Sequence, residues 1–226
     1  MESLQYVTAN GCDFCDEIAG RPPKLLGLPS MLSTRIVKAT QAGDLFAIPD
    51  ASPISDRHGL IIPRAHISRF SQFDCDSLIP LVEKAATCLA TSETLVFFEH
   101  GGHSCLRNGV CSEHAHLHLV AVDRFSMPQF ISTLMQLEGK VSDSYDSIKR
   151  VFHSELRPDS SDYLVFGIAS HGVMDIRIID FDYIPSQMLR YALADSLGIA
   201  PHIESMKNRR EAFLSSYRWL VQLLSL

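Results

Sequence analysis

Three histidines separated by single apolar residues are the side chains of this sequence best suited to chemistry. They are His114, His116 and His118, in the run HAHLHLV over residues 114–120. Side chains of a strand alternate between its two faces, so we expect all three rings on one side, each about 7 Å from the next. Neutral imidazole binds metal ions and attacks electrophiles, so this row could combine metal ligation, nucleophilic attack and phosphate contact. A tag-like surface cluster is the disfavoured alternative, because it would not need apolar residues between its histidines.

A pair of cysteines near the start of the chain is the second candidate. Cys12 and Cys15 are separated by two residues, a spacing that lets one turn hold both sulfurs on a tetrahedral metal ion. Two more ligands are then needed, and we expect one from the histidine strand and the other from His66. Two thiolates and two neutral imidazoles would form a closed, structural zinc site. A redox pair is disfavoured, because no thioredoxin-like strand and helix surrounds the cysteines.

The elements that must position these residues follow from the apolar pattern. Continuous or alternating apolar runs predict strands at 33–38, 44–49, 59–63, 95–98, 114–122, 163–169 and 173–179. Helical spacing predicts helices from Asp74 to Leu89, from Pro185 to Gly198, and through Phe213 and Leu224 at the end of the chain. No repeat or long linker separates the two halves, so we expect the second half to pack on the first.

The overall composition is that of an ordinary globular protein. Its 226 residues are 46% hydrophobic and 20% charged, with a formal net charge of -6. This balance, without a cluster of lysine or arginine, argues against a polymeric nucleic-acid partner. We find no signal-peptide pattern and no run of about 18 apolar residues, so we expect no membrane partner and a cytoplasmic location. In that compartment the cysteines would stay reduced.

The sequence resembles the histidine triad superfamily of nucleotide-binding hydrolases and transferases. Residues 114–120 fit the signature of three alternating histidines followed by apolar residues. The segment 50–66, DASPISDRHGLIIPRAH, resembles a second segment of that family, and the cysteine pair resembles its zinc-containing branch. The resemblance implies an α+β fold, with an antiparallel sheet flanked by helices. It further implies a nucleotide-binding catalytic core over 1–125, a helical and hairpin extension over 126–226, and a possible homodimer.

The same resemblance implies roles for individual residues in a nucleotide site. His116 would attack the α-phosphorus of a nucleotide and form a nucleotidyl-histidine intermediate, while His118 would hydrogen-bond a phosphate oxygen. Asp50 stands where the family places a carboxylate on the ribose hydroxyls. Cys111 replaces the usual hydroxyl residue and could offer its backbone amide, and Arg57 replaces a usual glycine and could contact phosphate.

The resemblance also implies the identity of the zinc ligands. His114 would join Cys12, Cys15 and His66, as in the related galactose-1-phosphate uridylyltransferases. The cofactor expected from the sequence is therefore one structural zinc ion.

Several functional alternatives stay open at the level of sequence. The acceptor could be water, phosphate or another metabolite, so hydrolase, phosphorylase and transferase are all compatible with the residues. A second class is a protein that binds nucleotide or zinc without turnover, as a sensor or interaction module. A third is a metal-dependent hydrolase in which all three histidines of the row are ligands.

Five further side chains have two interpretations each. His58 could brace the active-site loop or be a buried histidine satisfied by backbone groups. The arginines of the second half could bind a phosphate, but surface ion pairing is the favoured interpretation for Arg177, Arg190, Arg209 and Arg210.

Overall fold

A computed structural model describes most of the chain. The described residues are 12–21, 37–40, 43–73, 76–89, 93–101, 114–123, 125–135, 140–156, 163–170, 173–180, 188–199 and 206–225. Cys111, one of the predicted substrate-binding residues, lies outside these ranges.

One antiparallel sheet organises the part of the chain that the structure describes. Its strands are β1 (Val37–Lys38), β2 (Leu45–Pro49), β3 (His58–Pro63), β4 (Thr94–Gly101), β5 (Leu117–Val122), β6 (Lys140–Val141), β7 (Tyr163–Ser170) and β8 (Val173–Asp180). They lie in the order β1-β2-β3-β5-β4-β7-β8-β6. Neighbouring strands of this order are antiparallel throughout. The predicted α+β class with an antiparallel sheet and flanking helices is confirmed.

The helices cover both faces of the sheet. They are α1 (Asp13–Ile18), α2 (Leu78–Thr87), α3 (Met127–Met135), α4 (Ile148–Arg150), α5 (Met188–Ser196) and α6 (Met206–Ser225), with a 3-10 turn at Phe70–Gln72 and a π-helical turn at Val151–Glu155. Gly198 follows α5 with a φ of 68°, the left-handed conformation that commonly ends a helix. Among the described residues, none of the helices has the length and apolar character needed to cross a bilayer.

Each face of the sheet has its own apolar core. Leu117 and Leu119 of β5 belong to the cluster that α2 and α6 cover, and we call this side the structural face. Val120 of β5 belongs to the cluster that α3 and α5 cover. His118, which is separated from Val120 by one residue, therefore lies on this second side, which we call the site face. Since the central strands are buried on both faces, they read as continuous apolar runs.

The second half of the chain extends the sheet of the first. β7 pairs with β4 from Tyr163 to Ala169, with Phe97 opposite Gly167, and β8 pairs with β7. The sheet therefore contains strands from both sides of residue 125, the predicted boundary between core and extension. Helix α5 packs against the face that carries His118. The division into a core and an extension stays a prediction.

Candidate functional site

The histidine row does not lie in one strand, which corrects the first expectation. β5 begins at Leu117, so His114 and His116 precede the strand and only His118 is part of it. The chain is held there by the Ala115 N–H, which donates to the Ile67 carbonyl at 2.7 Å. His114 lies at a bend, His116 precedes the strand, and the three rings have different partners.

The ring of His116 is oriented by a backbone carbonyl. Its Nδ1 lies 2.8 Å from the carbonyl oxygen of His114, and since a carbonyl can only accept, Nδ1 must carry the proton. In the neutral ring the lone pair then resides on Nε2. The ring is half-buried, and Phe14 of α1 contacts it at a centroid distance of 5.4 Å. His116 therefore has the tautomer that a nucleophile acting through Nε2 requires.

His58 and His118 form a directed hydrogen bond inside the site face. The Ile54 N–H donates to His58 Nδ1 at 3.0 Å, so the proton of neutral His58 is on Nε2. That nitrogen lies 2.9 Å from His118 Nδ1, which must accept, and the His118 proton is therefore on Nε2. Phe98 stacks on the His118 ring with centroids 4.3 Å apart and planes 13° apart. His118 is thus held as a hydrogen-bond donor through Nε2.

His58 is buried and accepts from a backbone N–H, and its ring also hydrogen-bonds His118. Its contacts therefore agree with both interpretations, a buried histidine satisfied by backbone and a residue that braces the site. Its backbone N–H donates to Ser216 Oγ of α6 at 3.0 Å. The adjacent Gly59 lets α6 approach closely, because a Cβ there would lie 2.7 Å from Leu220 Cδ2. Helix α6 on the structural face therefore fixes a residue whose ring lies on the site face.

The carboxylate of Asp50 is buried beside this histidine pair. Its Oδ2 lies 3.6 Å from His58 Nε2 and 3.7 Å from His118 Nδ1, while Oδ1 accepts the Ser52 N–H at 2.7 Å. Arg190 of α5 donates to Oδ2 from Nη1 at 2.5 Å. The Asp50 side chain is only 8% exposed, so this carboxylate is almost fully enclosed by protein groups.

The pKa values of His58, His118 and Asp50 favour two neutral imidazole rings and a charged carboxylate. Burial lowers the pKa of His58 to about 4, and burial together with His116 and His58 lowers the pKa of His118. Burial alone would raise the pKa of Asp50, but His58, Arg190 and His118 outweigh it and hold that pKa well below its usual range. Since both rings are neutral at pH 7, Arg190 is the full positive charge that stabilises the carboxylate there.

The four predicted metal ligands are brought together by the structure. Cys12, Cys15, His66 and His114 place their ligand atoms within 4.8 Å of one another. Cys15 Sγ lies 3.4 Å from His66 Nδ1 and 3.5 Å from His114 Nδ1. Zinc–sulfur bonds of about 2.3 Å and zinc–nitrogen bonds of about 2.05 Å at tetrahedral angles give a sulfur–nitrogen separation of about 3.5 Å. The donor set therefore fits a tetrahedral zinc ion.

Neighbouring groups set the protonation state of two of these ligands. The Nε2–H of His114 donates to the Pro63 carbonyl at 2.8 Å, which leaves the lone pair on the Nδ1 that faces the sulfurs. Burial raises the pKa of the Cys12 thiol to about 11, so an ion would be needed to hold it as thiolate. Phe14, between the two cysteines in the sequence, contacts both His114 and His116.

A second group of possible ligands among the described residues fits a metal ion poorly. Asp50, His58 and His118 lie close enough to share an ion, but the Arg190 guanidinium already occupies the Asp50 carboxylate with a positive charge. His116 belongs to neither group. The alternative in which all three histidines of the row bind one catalytic metal does not match this arrangement.

The remaining predicted contacts have protein partners. Arg57 pairs with Glu93, with Asp123 at 3.2 Å and with Asp56 at 3.8 Å, so a phosphate would have to compete with three carboxylates. Arg177 pairs with Asp175 at 2.8 Å, which is the ion pairing expected for it. The side chains of Arg209 and Arg210 lie outside the described ones. Ligand contacts by Asp50, Arg57 and Cys111 stay predictions.

The contact between Arg190 and Asp50 is a feature of the site that has no signal in the sequence. The two residues are 140 positions apart, and nothing in the local pattern around Arg190 indicates which carboxylate it meets. The Phe98 stack on His118 was also missed, although an apolar strand beside a histidine strand made some aromatic contact plausible.

Comparison with known proteins finds several similar solved structures, among them the following three. The SMU.412c protein of Streptococcus mutans UA159 is 26% identical, with a TM-score of 0.37, and the match covers 58% of this chain and 83% of that chain. A histidine triad nucleotide-binding protein of Candida albicans is 19% identical, with a TM-score of 0.35, over 56% of this chain and 94% of that chain. An ADP-glucose phosphorylase of Arabidopsis thaliana, solved with ADP-glucose, is 10% identical, with a TM-score of 0.38, over 75% and 80%.

No protein-family profile matches this chain, and no curated protein matches it.

Proposed function

We propose that this protein cleaves or transfers at the α-phosphate of a nucleoside polyphosphate or nucleotide conjugate, with His116 as the nucleophile. The observation that carries the proposal is the hydrogen bond from His116 Nδ1 to the His114 carbonyl at 2.8 Å. A fixed carbonyl that accepts a hydrogen bond from Nδ1–H places the lone pair of the neutral ring on Nε2 and stabilises the ring as it becomes positive.

The reaction consists of two displacements at one phosphorus atom. In the first, His116 Nε2 bonds to the α-phosphorus while the bond from phosphorus to the bridging oxygen breaks, and the leaving group departs with that electron pair. In the second, an acceptor oxygen bonds to phosphorus and gives up any proton it carries to solvent, while the phosphorus–nitrogen bond breaks and returns the electron pair to Nε2. The acceptor is water, phosphate or another metabolite.

His118 is the residue that would stabilise the phosphoryl oxygens. Neutral His118 carries its proton on Nε2 because its Nδ1 accepts from His58. A preformed donor offsets the charge that develops on phosphoryl oxygens, which is where phosphoryl transfer gains much of its rate. His58 and Phe98 hold that donor in place from the neighbouring strands.

A zinc ion fits the group of Cys12, Cys15, His66 and His114, as a structural cofactor. With four protein ligands the ion would have no open position, so it would supply a cross-link and no substrate activation. That link would join α1 to the segments that follow β3 and precede β5. It would also hold Phe14 of α1 against the His116 ring.

The proposal is tested by intact-mass analysis after brief incubation with a panel of nucleoside polyphosphates and nucleotide sugars. We expect a mass increase of one nucleoside monophosphate, located on His116, and its absence in His116→Asn. His153→Asn is the matched control. Residue 153 lies in the π-helical turn Val151–Glu155, and Val151 and Phe152 of this turn pack on the structural face.

The same experiment separates catalysis from simple binding. Under the enzyme proposal, His116→Asn binds nucleotide but loses turnover. Binding without an adduct or turnover in the unmodified protein would instead favour a nucleotide- and zinc-binding sensor or interaction module. A panel that pairs ribonucleotides with their 2′-deoxy forms tests the predicted contact of Asp50 with the ribose hydroxyls.

A further inference from the structure

Arg190 connects the second half of the chain to the centre of the site face. From α5 it donates through Nη1 to Asp50 Oδ2 at 2.5 Å and through Nη2 to the carbonyl of Ser52. Its side chain is 16% exposed, and that of Asp50 is 8% exposed. The guanidinium therefore holds both the carboxylate and the backbone of the loop that follows β2.

The contact between Arg190 and Asp50 pairs one positive charge with one negative charge beside His58 and His118. Among the residues that the structure describes, the charged or titratable groups that face His118 are His58 of β3, His116 before β5, Asp50 after β2 and Arg190 of α5. With Arg190 paired to Asp50, both charges are compensated and the two imidazoles can stay neutral. Without Arg190, the buried carboxylate would be left uncompensated, which is costly, and the nearest groups able to supply a positive charge are the two rings.

The direction of the hydrogen bond between the rings depends on that neutrality. His58 Nδ1 already accepts from the Ile54 N–H, so neutral His58 carries its proton on Nε2. His58 Nε2 is therefore the donor, and His118 Nδ1 is the acceptor. An added proton on His118 would occupy Nδ1, so that both nitrogens facing each other carried protons. The bond to His58 would then be lost, and His118 would turn towards Asp50, whose Oδ2 is 3.7 Å away.

We propose that Arg190 is a positioning residue, which by balancing Asp50 keeps His58 and His118 neutral and fixes the His118 proton on Nε2. Its consequence for phosphate binding rests on the proposed function, because the value of that proton lies in donation to a phosphoryl oxygen. The arrangement of charges itself does not depend on turnover and can be measured without substrate.

The test is nitrogen-15 NMR of the imidazole rings in the full-length protein across a pH titration. In the unmodified protein we expect neutral rings at pH 7, with the His118 proton on Nε2. In Arg190→Gln we expect the pKa of the His58 and His118 pair to rise by about one to two pH units, the usual effect of a nearby uncompensated charge. Arg190→Lys should keep most of the unmodified behaviour, because it keeps the charge.

Two further variants keep the test decisive. Asp50→Asn with Arg190→Gln removes both charges, and we expect the low pKa of the rings to return. Arg177→Gln is the matched control, since Arg177 also binds an aspartate and a backbone carbonyl, those of Asp175 and Ser142, but outside the site. It should leave the ring pKa values unchanged.

Any of three results would overturn the proposal. One is a His118 proton on Nδ1 in the unmodified protein, which needs no variant to observe. The second is an unshifted pair in Arg190→Gln, and the third is a pair in the double variant that stays as basic as in Arg190→Gln. If the adduct on His116 fails to form while these NMR results hold, the proposed function is wrong and the role of Arg190 in the charge balance stands.

Discussion

Replacing His58 by glutamine should make the stability of the protein less sensitive to acid. The His58 side chain is fully buried, and burial lowers its pKa from 6.5 to about 4. Between these values the unfolded chain binds a proton that the folded protein excludes, so stability is complete above pH 6.5 and falls as the pH decreases towards 4. A difference of 2.5 pH units corresponds to about 3 to 4 kcal/mol at about 1.4 kcal/mol per unit.

Glutamine retains a donor near the position of Nε2 but cannot titrate. At neutral pH we expect His58→Gln to be less stable by about 1 kcal/mol, because the Ile54 N–H loses its ideal acceptor. Through the window below pH 6.5 its stability should fall less steeply than that of the unmodified protein, by up to about 1.4 kcal/mol per pH unit.

Urea unfolding at a series of pH values, at fixed zinc concentration, measures both effects. His153→Gln in the helical turn on the structural face serves as the control for removing one histidine. Equal pH slopes for the unmodified protein and His58→Gln would refute the neutral, buried state of His58. The tautomer assigned to His118 would then lose its basis.

Three further perturbations have defined outcomes. Cys15→Ser should lower the bound zinc from one equivalent to less than one in elemental analysis, and should reduce the melting temperature. Phe98→Ala should destabilise the protein by about 3 to 5 kcal/mol, because it empties a buried site, and should loosen the stacked ring of His118. Gly167→Ala should cost about 1 to 3 kcal/mol, since its Cβ would lie 2.2 Å from Cζ of Phe97.

Each of these has a result that would contradict it. Unchanged metal content in Cys15→Ser would remove that cysteine from the zinc site. A loss below about 1 kcal/mol in chemical denaturation of Phe98→Ala would mean that the ring is not part of a packed core. A Gly167→Ala protein as stable as the parent would show that the Phe97 ring does not cover the glycine of the neighbouring strand.

The elements that could be predicted from sequence are those with strong local patterns. β2 and β3 were predicted within one residue at each end, because their apolar runs are bounded by polar or turn-forming residues. The cysteine spacing, His66 and the family resemblance predicted four side chains whose donor atoms the structure brings within 4.8 Å of one another, since metal ligands are of recognisable type. These signals lie within short segments and do not depend on how distant elements pack.

The features that could not be predicted depend on tertiary packing. The pattern over residues 114–122 fits one long strand, but the Ile67 carbonyl pairs with Ala115 outside the sheet ladder and the strand begins only at Leu117. The partner of Arg190 depends on where α5 docks across the site face, which no local pattern specifies. The charge balance of the site thus follows from a contact that only the folded chain reveals.

The most direct measurement of the proposed chemistry is the location of a covalent nucleotide after rapid quenching. Acid-labile, base-stable modification of a peptide that contains residue 116, with the mass of one nucleoside monophosphate on the His116 ring, is the result we predict. Turnover of the same nucleotide without any such adduct, or an adduct on another side chain, would contradict the assignment of His116 as the nucleophile.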